Sequence, residues 1–345
     1  MLSTIKTKRA TIKDVAQAAN VSIATVSRIL NGQSGVSDEL VEQVQDAVRK
    51  LNYRPNAAAR ALKVQKSRSI GLIIPDIENP FFPALVRGVE DAAQVHGYAL
   101  TLCNTDGKAE EEKRYVKFLL NKQVDGILFV GNSRCFVEDD PELLAGEVPI
   151  VLLDRRIEGV PFSTVMIDNS AGAYMAVEHL LKQGRRGIAM VGGRADSPTN
   201  MERVEGYRQA LQAYGVSYRP TLVTNNDFTF EGGYIGAELL LAGGEAFDAV
   251  FAANDMMAVG VIECLLKHGR KVPEDVAVIG FDDIRMASWY KPSLTTIHQP
   301  VYEMGRMAVE MLLTHMQRPA QPAQNVMLQP ELIVRQSSGR KGQSL

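Results

Sequence analysis

From Ser69 onward the chain alternates short, mostly apolar runs with longer amphipathic stretches, and this rhythm constrains its fold more than any other feature. Residues 70–74, 99–103, 126–130 and 149–153 read as strands buried on both faces, the kind of run a covered parallel sheet requires. Between them, 82–95 and 110–121 carry apolar residues at helical spacing. Strand, helix and parallel strand in succession make βαβ units. The same alternation resumes at 188–191, 221–224, 249–251 and 276–280, so the region predicts two α/β lobes rather than one sheet. A cleft between them is the default place for a ligand.

The first sixty-odd residues follow a different pattern. Thr11-Ile-Lys-Asp14 is a helix start in which the Thr11 hydroxyl accepts from the third amide and Asp14 sits in the first turn. Ile12, Val15, Ala16 and Ala19 then share a face, Asn20-Val21 breaks the helix, and Ser22 caps a second one running to Leu30. A third helix from Ser37 packs Leu40, Val41, Val44, Val48 and Leu51 back on the first two. Two short helices across a tight turn fit a helix-turn-helix, whose second helix enters the DNA major groove, and on helix pattern alone they fit any small α-helical hairpin equally well. Charge supports the split. Residues 1–66 hold eleven Lys/Arg against five acids, leaving 27 bases and 35 acids for the rest, so a total of −2 conceals a +6 head on a −8 body. A basic head of this kind suits a polyanion.

Three segments, Thr-Ile-Lys-Asp-Val-Ala (11–16), Val-Ser-x-x-Thr-Val-Ser-Arg (21–28) and Leu-Asn-Tyr-x-Pro-Asn (51–56), resemble the DNA-binding headpiece of the lactose repressor (LacI/GalR) family. The resemblance covers nearly the whole chain. It implies that Ile23 and Ala24 occupy the main base-reading positions, with Thr25, Ser27, Arg28 and Asn31 alongside. Ile23 and Ala24 lack polar side-chain atoms, so readout there is apolar, as against a thymine methyl, whereas Arg28 suits guanine. Lys13, Thr11 and Ser22 suit phosphate oxygens. The resemblance also implies a hinge helix carrying Asn56, Ala59, Leu62 and Lys63, with Leu62 as the minor-groove wedge. The expected organisation is a helix-turn-helix domain at 1–53, a hinge at 54–67 and a two-lobed, periplasmic-binding-protein-like body at 68–345. Its N-lobe spans 68–168 and 299–325, and its C-lobe 169–298 and 326–340.

In the body, the polar and aromatic residues near strand ends form a chemical set: Asn79, Phe81, Phe82, Asp154, Arg155, Arg203, Phe228, Asn254, Asp282 and Gln299. Flat rings cover C–H faces while donors and acceptors meet hydroxyls, a combination that fits a small polyhydroxylated ring. Asn254 and Asp282 also fit as helix caps, and Gln299 as a hinge hydrogen bond. The body resembles the periplasmic ribose-binding proteins and the ribose-repressor branch of the family, and that resemblance places all ten residues on a sugar. Pro75 departs from the pattern, standing where the periplasmic relative has a small hydroxyl residue.

Other chemistries lack their signatures. No G-x-G-x-x-G opens a helix after a strand, and no P-loop or G-x-S-x-G occurs. The five histidines lack metal-ligand spacing, and Cys103, Cys135 and Cys264 are too scattered for a disulfide framework. No catalytic residue, cofactor or metal is expected. Neither a signal-peptide pattern nor an apolar run of ~18 residues is present, so the sequence predicts a cytoplasmic, nucleoid-associated protein with no membrane partner. The expected function is repression: a homodimer on palindromic operator DNA, controlled by a small sugar effector, ribose or a similar pentose. Another sugar, a purine corepressor or a phosphoprotein partner are the rivals within the family. Outside it, a sugar transport protein leaves residues 11–63 unexplained, and a sugar-active enzyme lacks its catalytic pattern.

Overall fold

The computed structural model describes residues 10–30, 35–53, 67–131, 148–157 and 159–339, which divide into two compact units meeting between Ser67 and Arg68. The first unit holds α1 (Ile12–Ala18), α2 (Ile23–Leu30) and α3 (Asp38–Lys50). Their apolar faces meet in a small core of Val15, Ala16, Ala19, Val26, Val44 and Ala47, with Tyr53 packed against it. α1 begins with a full capping box: Asp14 N–H donates to Thr11 Oγ1 at 3.4 Å, and Thr11 N–H donates to Asp14 Oδ2 at 2.7 Å. At α2, Thr25 N–H donates to Ser22 Oγ at 3.0 Å.

The second unit contains two six-stranded sheets. In the N-lobe, β1 (Ser69–Ile74), β2 (Ala99–Asn104), β3 (Gly126–Phe129), β4 (Ile150–Leu153), β5 (Ser163–Ile167) and β11 (Asn325–Leu328) lie in the order β11-β5-β4-β3-β1-β2. α4 (Phe81–Val95) and α11 (Val301–Gln317) cover one face of this sheet and α5 (Ala109–Asn121) the other. In the C-lobe, β6 (Ile188–Gly192), β7 (Val223–Asn225), β8 (Ala249–Ala252), β9 (Ala277–Asp282), β10 (Thr295–His298) and β12 (Glu331–Ile333) follow the order β12-β10-β9-β8-β6-β7. One face carries α6 (Asn169–Lys182) and α7 (Pro198–Ala213). The opposite face carries α8 (Phe230–Ala242), α9 (Asp255–Lys267) and α10 (Arg285–Trp289). All pairings are parallel except β10 with β12. These are the expected doubly covered sheets.

The chain passes between the lobes three times, at Asp168, at Gln299-Pro300 and between Leu328 and Glu331. The third crossing corrects the boundary read from sequence. β11 pairs with β5, with Val326 opposite Val165 and Leu328 opposite Ile167, so the N-lobe keeps the chain to Leu328 rather than 325. Too short to stand out, Asn325-Val-Met-Leu328 is drawn into the sheet by its neighbour's open edge. The strand expected at 221–224 likewise begins as a 3₁₀ turn at Pro220–Leu222, because proline cannot donate to a ladder.

α4 and α11 approach closely enough that only hydrogen fits between them. A Cβ on Gly88 would lie 2.2 Å from Tyr302 O, and one on Gly305 would lie 2.6 Å from Leu85 O. Gly88→Ala gains about 1 kcal/mol of helix propensity, but it meets a backbone carbonyl held within a helix. The expected net result is a body destabilised by about 1–3 kcal/mol, read as a lower urea midpoint with unchanged slope.

Candidate functional site

All ten body residues singled out from the sequence line one cavity of about 420 Å³. Asn79, Phe81, Phe82, Asp154 and Arg155 reach it from the N-lobe, Arg203, Phe228, Asn254 and Asp282 from the C-lobe, and Gln299 from the second crossing. The rings of Phe81 and Phe82 meet edge to face, with centroids 5.0 Å apart, at the first turn of α4. Phe228 can approach because its neighbour is Gly193, where a Cβ would lie 2.1 Å from its ring. Pro75 lines the cavity too.

The polar groups are mostly buried and held. Arg203 is 4% exposed; its Nε donates to Asn169 Oδ1 at 2.9 Å, its Nη1 donates to Ala253 O, and its guanidinium lies 3.8 Å from the Phe281 ring centroid. It was expected on a loop after a strand and stands instead in the second turn of α7. That stretch contains only modest apolar patterning, since the face the helix buries is built largely from polar and small residues, Thr199, Asn200, Arg203 and Gly206. Burial lowers the Arg203 pKa, and the charges of Asp282 and Asp154 oppose that shift. Arg155 Nε donates to Asp154 Oδ2 at 3.2 Å.

Asn254 caps α9, accepting from Met257 N at 2.8 Å, and its Nδ2 donates to Phe228 O at 3.1 Å, so it also sets the loop that carries the ring. Asn79 Oδ1 accepts from Phe81 N at 3.1 Å. Gln299 Nε2 donates to Asp282 Oδ1 at 2.7 Å, while its Oε1 is buried and has no hydrogen-bond partner. Asp154 and Asp282 both occupy left-handed backbone, with φ of 64° and 116°, conformations held by their surroundings at strand ends that face the cavity.

Burial pushes the Asp282 carboxyl up to about 7, against the opposing pull of Arg203 and the Gln299 hydrogen bond. One residue before Arg203 on α7, Glu202 is also raised by burial, with Asn169 Nδ2 donating to it at 2.8 Å. At the second crossing His298 Nδ1 lies 2.9 Å from Asp283 Oδ2, and Arg335 Nη2 donates to Asp283 Oδ1 at 2.7 Å. Asp283 is lowered overall: burial acts against its charge, and its hydrogen bonds with His298 and Arg335 outweigh it.

The headpiece presents a separate surface. Ile23 is 44% exposed at the start of α2, an unusual position for an isoleucine and a suitable one for an apolar base contact. Ala24, Lys13 and Arg28 are exposed as well, and Thr25 and Ser27 are partly covered. Thr11 Oγ1 also donates to Asp14 Oδ2 at 2.8 Å, and Ser22 Oγ pairs with Thr25 Oγ1 at 2.8 Å, so these hydroxyls cap their helices first. Asn31, Asn56, Ala59, Leu62, Lys63 and Cys135 lie outside the described residues.

Known proteins join the two halves. Residues 11–56 match the model for bacterial regulatory proteins of the lacI family, and residues 177–338 match that of a periplasmic binding protein-like domain. A ribose operon repressor of Haemophilus influenzae is 36% identical over 95% of this chain and 98% of its own. The HTH-type transcriptional repressor PurR of the same species is 38% identical over 95% and 98%. This chain belongs to the lacI family.

Solved lacI-family structures share its fold. The lac repressor dimer bound to operator and the anti-inducer ONPF superposes with a TM-score of 0.86 at 28% identity, covering 96% of this chain and 99% of that one. A lacI-family regulator from Enterococcus faecium with bound ribose gives 0.70 at 32% identity, covering 78% and 98%. The chain is accordingly a DNA-binding transcriptional regulator and not an enzyme. Among the described residues no helix is long and apolar enough to cross a membrane, and no group of metal-ligating side chains comes together.

Asp76, Asp106, Gly107, Arg194, Ser197, Thr199, Asp227 and Thr229 also line the cavity and escaped the sequence reading. Each is a polar or glycine residue in or beside a loop, although Asp76, Asp106, Gly107, Arg194 and Asp227 share one signal: they follow strands within a few residues. Trp289, exposed in α10, does not line it.

The raised Asp282 carboxyl yields a signed prediction. The native state binds its proton more tightly than the unfolded chain does, so this group lowers stability progressively as pH rises from about 4 to about 7, and the full cost persists above. Asp282→Asn removes that cost. Its melting temperature should exceed the wild-type value at pH 8 by a few degrees, and the gain should shrink to little at pH 5, when both are scanned without ligand.

Proposed function

We propose that this protein is an operator-binding repressor, acting as a homodimer on a palindromic site, and that a neutral pentose of the ribose type controls its DNA affinity from the interlobe cavity. One observation carries the ligand assignment. Two edge-to-face phenylalanines stand in a cavity whose buried polar groups are compensated in charge, Asp154 and Asp282 against Arg155 and Arg203, while Gln299 Oε1 still lacks a partner. A buried acceptor without a donor is costly. A hydroxyl of a neutral polyol supplies the donor and adds no net charge. The ribose operon repressor and the ribose-bound regulator among the relatives support the same choice.

In this reading the ligand favours one of two arrangements of the lobes, and operator DNA favours the other; an effector that binds both equally shifts nothing. Lys13, Thr11 and Ser22 position the headpiece on phosphates, Ile23, Ala24, Thr25, Ser27, Arg28 and Asn31 read bases, and Leu62 with Asn56, Ala59 and Lys63 engages the minor groove. The dimer follows from two-fold operator symmetry. The site of action is the bacterial cytoplasm, on the nucleoid.

Operator binding followed by fluorescence anisotropy, with titrations of ribose, other pentoses, hexoses and purines, tests the assignment. Ribose or a close pentose should change operator affinity; a response to a purine alone would replace the pentose with a nucleobase. Arg155→Ala should abolish the sugar response with operator affinity retained. Arg28→Ala should cost about 1–3 kcal/mol on the preferred operator and relax the preference at a single base pair in each half-site, measured against a panel of point-substituted duplexes.

A further inference from the structure

The chain enters the body at Arg68, one residue ahead of β1, and that residue is gripped on two sides. Its backbone N–H donates to Asp125 Oδ2 at 3.0 Å, and its carbonyl accepts from Ala99 N at 2.9 Å. Asp125 N–H in turn donates to Ser69 O at 2.8 Å. The hydrogen bonding of β1 to both neighbouring strands is thereby extended one residue upstream. The guanidinium stands over the Tyr98 ring, 5.5 Å from its centroid, and Nη1 reaches His96 O at 3.5 Å. Arg68 has φ of 54°, a left-handed conformation that a non-glycine residue adopts at a cost, so these bonds rather than its own preference hold it there.

The side-chain contacts lie at the far end of α4 from the cavity. α4 begins with Phe81 and Phe82, whose rings line that cavity, and ends at Val95 with His96 as its C-cap. At 1.5 Å per residue its fifteen residues make a rod of roughly 22 Å. The rod is braced along its length, by the close approach at Gly88 and Gly305 and by His96 Nε2 lying 3.2 Å from Glu310 Oε1 on α11. A braced helix moves as a unit, so displacement of its first turn by a ligand reappears at His96 and Tyr98. There it meets the point where the chain arrives from the headpiece.

We infer that the clamp of Arg68 on Asp125, Ala99, Tyr98 and His96 is the positioning element that couples the cavity to operator binding. This rests on the reading of the protein as a ligand-controlled repressor. Neither Arg68 nor Asp125 lines the cavity, so the clamp governs the coupling and leaves intrinsic ligand affinity alone.

The test uses the full chain and the tightest duplex that the wild type selects from a randomised palindrome library. Arg68→Gly keeps the left-handed backbone without strain and removes the guanidinium, Asp125→Ala removes the backbone acceptor, and Arg68→Lys retains a cation over Tyr98. Operator affinity is measured with and without saturating ribose, ribose affinity by calorimetry without DNA, and hydrogen exchange of residues 81–104 with and without the duplex. In the wild type the ribose effect should fall in the usual range of about 5–150-fold, and the duplex should slow exchange at the end of α4. In Arg68→Gly and Asp125→Ala the ribose effect should shrink about fivefold or to unity and the exchange response should vanish. Ribose affinity should stay within about twofold, and Arg68→Lys should restore part of the coupling.

A ribose effect and an exchange response that both survive Arg68→Gly and Asp125→Ala would overturn the clamp. So would a fall in ribose affinity equal to the fall in coupling, which marks a merely structural role. If ribose leaves the wild type's operator affinity unchanged, the pentose reading fails, and the exchange comparison, which needs no sugar, still decides the clamp.

Discussion

A guanidinium buried between two lobes lies in the field of one carboxylate from each, and the polar groups of the cavity are arranged around it. Arg203 is almost fully buried on α7, inside the field of Asp154 from the N-lobe and Asp282 from the C-lobe. An uncompensated charge in that position costs several kcal/mol, so the relative placement of the lobes and the charge balance of the cavity are one problem. The same burial explains why Asp282 holds its proton up to about pH 7. A neutral ligand rich in hydroxyls leaves this balance intact, whereas an anion upsets it.

The groups that orient these charges stand at the crossings between lobes. Asn169, just past the first crossing, accepts from Arg203 and donates to Glu202; Gln299, at the second, donates to Asp282. Side chains mounted at hinges move when the lobes do, and a ligand that prefers one hydrogen-bond geometry therefore prefers one lobe arrangement. From the cavity the route outward is α4, anchored at one end by two aromatic rings and at the other by the junction at Arg68. The basic headpiece and acidic body separate at that same junction, so the modest total charge reflects two surfaces with different tasks.

Much of this was legible in the sequence, for identifiable reasons. Buried parallel strands such as residues 70–74 and 126–130 declare themselves because both of their faces must be apolar, and the helix starts at Thr11 and Ser22 because capping demands hydroxyl or carboxylate side chains. The ten cavity residues could be gathered through a resemblance that spans nearly the whole chain. Individual residues were less legible. Arg203 looked like a loop residue because the buried face of α7 is built largely from polar and small residues, Thr199, Asn200, Arg203 and Gly206, which blurs the amphipathic signature. β11 was assigned past the crossing because Asn325-Val-Met-Leu328 is only four residues long and owes its place to the edge of β5. Arg194, Ser197 and Thr199 gave no local sign, since a polar residue beside a loop looks the same whether it faces a cavity or solvent.

By itself the sequence determined the helix-turn-helix head, the two α/β lobes, the split of charge and the chemical character of the ligand site, because each rests on local spacing or on residue type. Only the tertiary structure decided which of those residues share a cavity, that Asn254 serves first as a helix cap, that Gln299 keeps an acceptor without a partner, and that burial raises the Asp282 carboxyl to about 7. These properties depend on burial and on distances between residues far apart in the chain, set when three crossings bring the lobes together. Spacing along a sequence does not encode them.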